Sequence, residues 1–411
     1  MKYWWGYLSA AIFAAISWAL TEFAKAHSVL VDMIYPYITR LIITALADFS
    51  SAISGILWQM LLGIFIVAVL VTGVLMVIRK KNPVRWFGWV LAVISFVVLI
   101  NTALYGLNTY TSPLADDLRL DIADYNITQL NETAVFLRDK ANALAEQVER
   151  KEDGTPKSGS FEKMAKQAAD GFEDLTYEQT ISVFAGSTAP VKKLTLGAKK
   201  GDTGITVALT GESAVNPNVP VAAMPFAMCK EMAHRMTIYT DTDARFAAFL
   251  ACTSNESVNF QYSGYLMAYF YCYEALASVP TSTAQACAEA TDKEVNDLLR
   301  QDLEVVLEFF GKPEPDLSIR TEEKKEERKE EKKEETTEGT EPTGEGEEGK
   351  TEETTPAVDM SFSSYKDVSD LLASWYIQNY VLPLHQEEEE VFDPFDTTQV
   401  DLSGNANAKK K

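Results

Sequence analysis

Histidine is almost missing from this chain of 411 residues, which has only His27, His234 and His385. That shortage bounds any zinc chemistry, because a catalytic zinc keeps three protein ligands and imidazole is the commonest of them. Cysteine is nearly as scarce: Cys229, Cys252, Cys272 and Cys287 are the four copies, with no Cys-x-x-Cys or mixed Cys/His metal spacing. A small disulfide-stapled scaffold is therefore excluded. Positive charge is short as well, since 37 Lys and Arg face 59 Asp and Glu for a net charge of −22. Nucleic acid needs a basic face and is excluded as a partner. Charge of either sign is absent from residues 53–78 and 86–107, and residues 4–23 hold only Glu22. Aromatic and large aliphatic residues, in turn, are missing from the Glu/Lys/Thr/Gly tract at 321–355. Such a tract cannot bury enough apolar surface to offset its ordering entropy.

The uncharged runs are what a bilayer asks for, since a spanning helix needs about 20 apolar residues. Three spans are expected, at about 4–23, 53–78 and 86–107. The first is preceded only by Lys2 and lacks a small-residue cleavage site, so it reads as an anchor rather than a signal peptide. Arg79, Lys80, Lys81 and Arg85 make the loop between the last two spans strongly positive, and the positive-inside rule makes that loop cytoplasmic. The N-terminus is then cytoplasmic and everything after Leu107 extracytoplasmic, in a multi-pass cell-membrane protein whose first partner is the lipid bilayer. Trp4, Trp5, Trp86 and Trp89 stand at span ends as interfacial aromatics. No charge sits mid-span to mark a transport path. Residues 27–52, with Tyr35-Pro36-Tyr37, predict an amphipathic helix on the outer surface or against the large domain. His27 reads there as an interfacial polar residue.

The remaining stretch, about 300 residues, is long enough to bury a substantial core. Apolar spacing predicts helices at 121–150, 161–175, 226–237, 243–253, 264–278, 284–310 and 365–380, with strands within 192–209. The expected class is mainly α: three transmembrane helices, then a mostly helical extracytoplasmic domain with a small β element. The expected divisions are a membrane region at 1–107, a domain at 108–320, an acidic low-complexity insertion at 321–356, a C-terminal helix at 357–386 and a flexible tail at 387–411. His385, beside the glutamates at 387–390, belongs to that solvated tail. Four cysteines allow three pairings, among which the sequence does not choose. Cys272 and Cys287 flank a Pro-containing turn and are placed to clamp a helical hairpin. Cys229 reads as a buried inert thiol rather than a nucleophile.

The residues that carry chemistry are Cys229-Lys230-Glu231-Met232-Ala233-His234. A His-Glu-x-x-His helix sets two histidines on one face for one zinc, with the glutamate as general base for a metal-bound water. Here Glu231 and His234 stand in place, but the first ligand position is Lys230. A protonated lysine has no lone pair to offer a metal.

Several blocks resemble those of a bacterial membrane protein family, the domain of unknown function 3810. The run from Gly204 through Thr210-Gly211-Glu212-Ser213-Ala214-Val215-Asn216 is similar to its TGxxxPFTGEANVN block. Met224-Pro225-Phe226 through His234 resembles its LPFxxxHELAH, and Asp241-Thr242-Asp243 through Cys252 its EDEANFxAYLAC. Phe260-Gln261-Tyr262-Ser263-Gly264-Tyr265 resembles FRYSGY, and Tyr105-Gly106-Leu107-Asn108 to Pro113-Leu114 resembles WGLNYxRxPL. The similarity runs from residue 35 to about 380, with the acidic tract as an insertion. The resemblance implies a gluzincin-like, zincin-like site: Glu231 as base, His234 as second ligand and Asp243 as third. It also implies a cleft for an extended peptide, involving Gly211, Glu212, Asn216, Arg245 and Tyr262.

The chain departs from that pattern at Lys230, at Asp243 (a shorter arm than glutamate) and at Arg245, where the family tends to have Asn. Three readings of Lys230 stay open: its ammonium replaces the charge of zinc, it points to solvent, or the metal site is rebuilt. Two functions follow. One is a catalytically dead, membrane-anchored metallopeptidase relative acting as a binding or scaffolding pseudoenzyme, with no cofactor. The other is an active zinc peptidase with His234, Asp243 and Glu212 as ligands and Glu231 as base. The partners expected beyond lipid are an extended peptide or another membrane or cell-wall protein. Substrate and oligomeric state are not readable.

Overall fold

The computed structural model describes residues 4–310 and 367–383, apart from residues 123, 180, 181 and 187. The acidic insertion at 321–356, most of the start of the C-terminal segment, His385 and the tail at 387–411 lie outside the described residues. The described chain is mainly helical with one small sheet, as the apolar spacing predicts.

Four N-terminal helices are long and apolar enough to cross a membrane: α1 (Trp5–Ala26), α2 (Ser28–Ser51), α3 (Leu57–Ile78) and α4 (Pro83–Leu104). The sequence reading counted three, because the polar residues of 27–52 pointed to a surface helix. α3 and α4 form a tight hairpin, with the Trp86 indole N–H donating to Thr72 Oγ1 at 3.0 Å. Asn82 caps α4 by accepting from the Val84 N–H at 2.8 Å, and Pro83 occupies the first turn, where its missing N–H costs nothing. α1 packs on α4 with both chains running the same way. Gly6 lies on Gly88, the Phe13 ring lies tilted against Phe96 with centroids 5.3 Å apart, and Ser17 meets Thr102 at 2.9 Å.

α2 stays on the large domain from end to end. Asp32 accepts from the Ser112 N–H and hydroxyl at 2.7 and 2.8 Å, and Arg40 Nε donates to Met236 O at 3.0 Å. Further along, the α2 backbone at Ile43, Leu46 and Ala47 lies against Gly211, leaving no room for a Cβ there. Gly211 also has φ of 66°, a left-handed conformation that glycine adopts without strain.

The domain starts with a 3₁₀ turn (Gly106–Tyr110) and the short α5 (Leu114–Leu118), followed by α6 (Ile127–Ala145) and α7 (Phe161–Gln179). α6 begins six residues later than its periodicity suggests, because Asn126 and Gln129 form a reciprocal capping box. Strands β1 (Lys192–Lys193), β2 (Gly204–Val207) and β3 (Glu212–Val215) form a sheet of order β1-β3-β2, parallel then antiparallel. β3 was not expected as a strand. It is the central one, buried along its length. Then come α8 (Met224–Arg235), α9 (Asp241–Ser254), α10 (Val258–Ser278), α11 (Ser282–Lys293), α12 (Asp297–Phe310) and α13 (Val368–Tyr376). The single helix expected at 284–310 is broken in two, because Asn296 caps a new start by accepting from the Leu299 N–H at 2.8 Å. One apolar core joins α6 through α13 around Phe226, Phe249 and Tyr269. All four cysteines are free thiols, so the expected Cys272–Cys287 clamp is not made. The pair in contact is instead Cys252 and Cys229, with Sγ atoms 3.7 Å apart.

Glu212 fastens the membrane helices to the sheet. Its carboxylate accepts from the Leu57 and Trp58 N–H groups of the first turn of α3 at 2.8 and 2.9 Å. It also pairs with Lys192 Nζ at 2.7 Å, and that ammonium reaches the Ser50 carbonyl in the last turn of α2 and the Ile53 and Gly55 carbonyls between α2 and α3. Removing one partner of a buried pair costs about 3 kcal/mol or more. Glu212→Ala is therefore expected to lower the thermal unfolding midpoint of the full-length protein in detergent clearly, and Glu212→Gln, which keeps an acceptor, to lower it less. Equal midpoints for Glu212→Ala and the parent would remove the clamp from the account of stability.

Candidate functional site

The site is built where α8 lies across the sheet and meets the start of α9. Thr206 on β2 and Ser213 on β3 are register partners with hydroxyls 2.9 Å apart, and both face α8. The Ser213 hydroxyl donates to the Glu231 carbonyl at 2.7 Å. The Thr206 hydroxyl lies between two Glu231 acceptors, the carbonyl at 3.0 Å and Oε2 at 3.1 Å. Thr203 donates toward Oε1 at 3.4 Å. Gly204 makes room for this arrangement, since a Cβ there would stand 2.7 Å from Glu231 Cγ. The Glu231 carboxylate thus faces the Thr203 and Thr206 hydroxyls and is only 1% exposed. A general base must reach the proton that it takes, and this carboxylate is sealed between helix and strand.

Lys230 turns inward. Its Nζ lies 2.8 Å from Asp241 Oδ1, 3.1 Å from Thr203 Oγ1 and 3.8 Å from Glu231 Oε1. His234, one turn on, has Nδ1 2.9 Å from the Ile238 carbonyl, which can only accept, so Nδ1 carries a proton. The Tyr105 hydroxyl sits 3.3 Å from the same nitrogen, and Nε2 faces Asp241 Oδ1 at 3.3 Å. Arg245 holds the other oxygen, Asp241 Oδ2, at 2.7 Å while lying over the Tyr271 ring at 5.0 Å. Asp241 therefore gathers three basic side chains at the N-terminus of α9, a place that itself favours an anion. Burial works to raise its carboxyl, but His234, Lys230 and Arg245 overcome that and hold it well below the usual carboxylate range.

The structure relocates most of the other expected site residues. Asp243 is not the carboxylate that meets Lys230 and His234; Asp241 is. Thr240 caps α9 by accepting from the Asp243 N–H at 3.0 Å, and Asp243 lines a different cavity. That cavity, of about 950 Å³, is walled by Asp32, Tyr37, Arg40, Asp117, Tyr239 and Asp243. Burial and the neighbouring Asp32 raise the Asp117 carboxyl there, against the opposing pull of Arg40. Glu212 is the membrane clamp and is not free to be a ligand. Gly211 is the seat of α2. Asn216 donates to Lys199 O at 2.7 Å and Asp202 O at 2.8 Å, fastening the loop that carries Thr203. Tyr262 is a core residue whose hydroxyl donates to Asp302 Oδ2 at 2.6 Å, beside Arg150. Of the expected set, only Lys230, Glu231, His234 and Arg245 come together. Asp241, Thr203, Thr206 and Tyr105 were missed. The one local signal for Asp241 was Thr240-x-x-Asp243, a capping pattern that commits Asp243 to the helix start.

Zinc does not fit this donor set. One imidazole faces an ammonium that has no lone pair. Among the described residues, no three His, Cys, Asp or Glu side chains are grouped to hold a metal ion. In comparisons with known proteins, a family model described as "Protein of unknown function (DUF3810)" matches residues 31–320. No curated protein and no solved structure matches the chain.

Folding favours the charged form of Asp241, whose unfolded value is near 3.9. Its contribution to stability is complete above about pH 4 and is lost as pH falls through the lower folded value. Asp241→Asn is expected to be less stable than the parent at neutral pH, with the two unfolding midpoints converging as pH falls below about 4. A constant gap across that range would mean that Asp241 is not held charged by its neighbours.

Proposed function

The chain belongs to the DUF3810 family, and we propose that it is a membrane-anchored, extracytoplasmic relative of metallopeptidases in which a lysine ammonium has taken the place of the metal. Its role on this reading is binding or scaffolding at the cell surface, not hydrolysis. The observation that carries it is Lys230 Nζ, held among Asp241, Thr203 and Glu231 at 2.8, 3.1 and 3.8 Å. A single positive charge there balances carboxylates that would be costly to bury alone. Glu231, buried with its carboxylate facing the Thr203 and Thr206 hydroxyls, is withdrawn from any water that it would have to activate.

Charge supports the side of the membrane in this reading. Arg79, Lys80, Lys81 and Arg85 lie in or next to the turn between α3 and α4 and by the positive-inside rule favour the cytoplasm for it, with α4 then delivering the domain to the other side. The binding surface is the edge of the sheet. β2 is an edge strand with Ile205 exposed, and an extended peptide can add to such an edge through backbone hydrogen bonds.

One feature favours a catalytic past. With Nδ1 donating to Ile238 O, His234 has the outer hydrogen bond typical of a metal ligand, and its Nε2 faces the Lys230 partner. Restoring the ligand at position 230 is therefore the direct test. Elemental mass spectrometry of the purified full-length protein is expected to find no zinc in the parent and close to one equivalent in Lys230→His. Asp241→Ala in the Lys230→His background should abolish that zinc, and Asp243→Ala should leave it. Stoichiometric zinc in the parent would overturn the proposal and make peptidase assays with Glu231→Gln the next step.

A further inference from the structure

Length and hydropathy make α2 as good a span as α1: its 24 residues reach about 36 Å, more than the hydrocarbon thickness. Its contacts say otherwise. Near its start Asp32 is held by Ser112, in its middle Arg40 is held by Met236, and its last turn is held through Ser50 by Lys192. A helix with both ends and its centre on one side of the membrane has no end left for the other side.

The direction of packing makes the same point independently. Successive crossings alternate, so the first and fourth of four spans run antiparallel. α1 and α4 run parallel, with Gly6 on Gly88, Phe13 near Phe96 and Ser17 on Thr102. Parallel packing of these two requires that only α3 cross between them. The face of α2 turned away from the domain is apolar apart from the exposed Asp48 near its end: Leu30, Met33, Ile34, Ile38, Leu41 and Phe49 are all exposed. An apolar stripe of that length is not left to water. Leu196, 69% exposed, lies in the same region, because its carbonyl accepts from Gln59 in the first turn of α3.

We infer that α2 does not cross the bilayer but lies in the plane of one leaflet, with its apolar face in lipid and its opposite face under the domain. The occupant of the exposed stripe is the leaflet that surrounds α1, α3 and α4, with which the stripe is continuous. The inference rests on those three helices crossing and not on the state of the Lys230 site. It sets the cavity walled by Tyr37 and Arg40 of α2 at the depth of the lipid headgroups.

Single cysteines at Leu30, Ile34, Ile38, Leu41 and Phe49, in a Cys287→Ser background, are to be spin-labelled in the full-length protein reconstituted in phosphatidylcholine/phosphatidylglycerol vesicles. The ratio of oxygen to water-soluble nickel accessibility is expected to be the same shallow, lipid-exposed value along all of α2. A ratio that peaks at Ile38 and falls toward both ends would show a crossing helix and overturn the inference. Nickel access at every position would overturn it too, by leaving no lipid on the stripe. A label at Ile66 in α3 must read as deep; a wet Ile66 would sink the membrane reading itself, a distinct failure. An impermeant reagent should find an N-terminal tag on the side opposite a label at Lys200, and both on one side would again mean four crossings.

Discussion

The Glu212 carboxylate accepts the first N–H groups of α3 and pairs with Lys192, whose ammonium gathers the carbonyls at the end of α2. A helix N-terminus leaves donors unsatisfied and carries partial positive charge, so an anion there is favoured twice. At the bilayer edge water is scarce, and those groups would otherwise stay unpaired. The pair thus fixes where a lipid-embedded helix begins and locks that point to β1 and the central strand β3. Everything beyond takes its position from β3. Its next residue, Ser213, anchors the Glu231 carbonyl of α8, and α8 carries Lys230 and His234. Membrane attachment and the site are therefore two ends of one rigid connection four residues wide in sequence at its centre, Gly211 to Ala214.

Charge balance explains why the site is coherent as it stands. A dication would need donors with lone pairs converging on it, whereas an ammonium needs acceptors. Lys230 has them in Asp241, Thr203 and Glu231. Asp241 in turn has more positive neighbours than it needs, and Arg245 enters from the same helix one turn later, the spacing at which such pairs meet. Lysine at position 230 and arginine at position 245 change together the sign of what the pocket can hold.

The mainly helical class, the uncharged spans and the place of Lys230, Glu231 and His234 on one helix were legible in the sequence, because hydropathy and helical spacing are local properties; which way Lys230 turns was not, because its partner Asp241 stands on the next helix. Other features depended on partners far along the chain. The Gly211-Glu212 block read as cleft lining, yet its neighbours are Ala47, Leu57 and Trp58, more than a hundred residues earlier, and no local pattern names them. Tyr262 read as a cleft residue because a motif contained it, while its burial depends on Asp302 and Arg150. The exchange of Asp243 for Asp241 is a matter of helix face. Residues two apart at a helix start point in different directions, and Asp241 is the one that meets Lys230 and His234 of α8.

The same limit governs α2. Mean hydropathy sums over all sides of a helix and cannot tell lipid on every side from lipid on one and protein on the other. The face toward the domain, with Val31, Thr39, Ile43, Ala47 and Ser50 buried, is moderately apolar for one reason; the face with Leu30, Ile34 and Leu41 is strongly apolar for another. Added together they pass for a span. The sense in which α1 packs on α4 separates the two cases, because chain direction reverses at every crossing and so counts the crossings, whereas hydropathy does not. The domain is then held at three places, through α2 along its length, through the Glu212 clamp at the start of α3, and through the turn that leaves α4. Three attachments fix its tilt as well as its height, so the face that carries Tyr105, His234 and the neighbouring cavity keeps a constant orientation to the membrane.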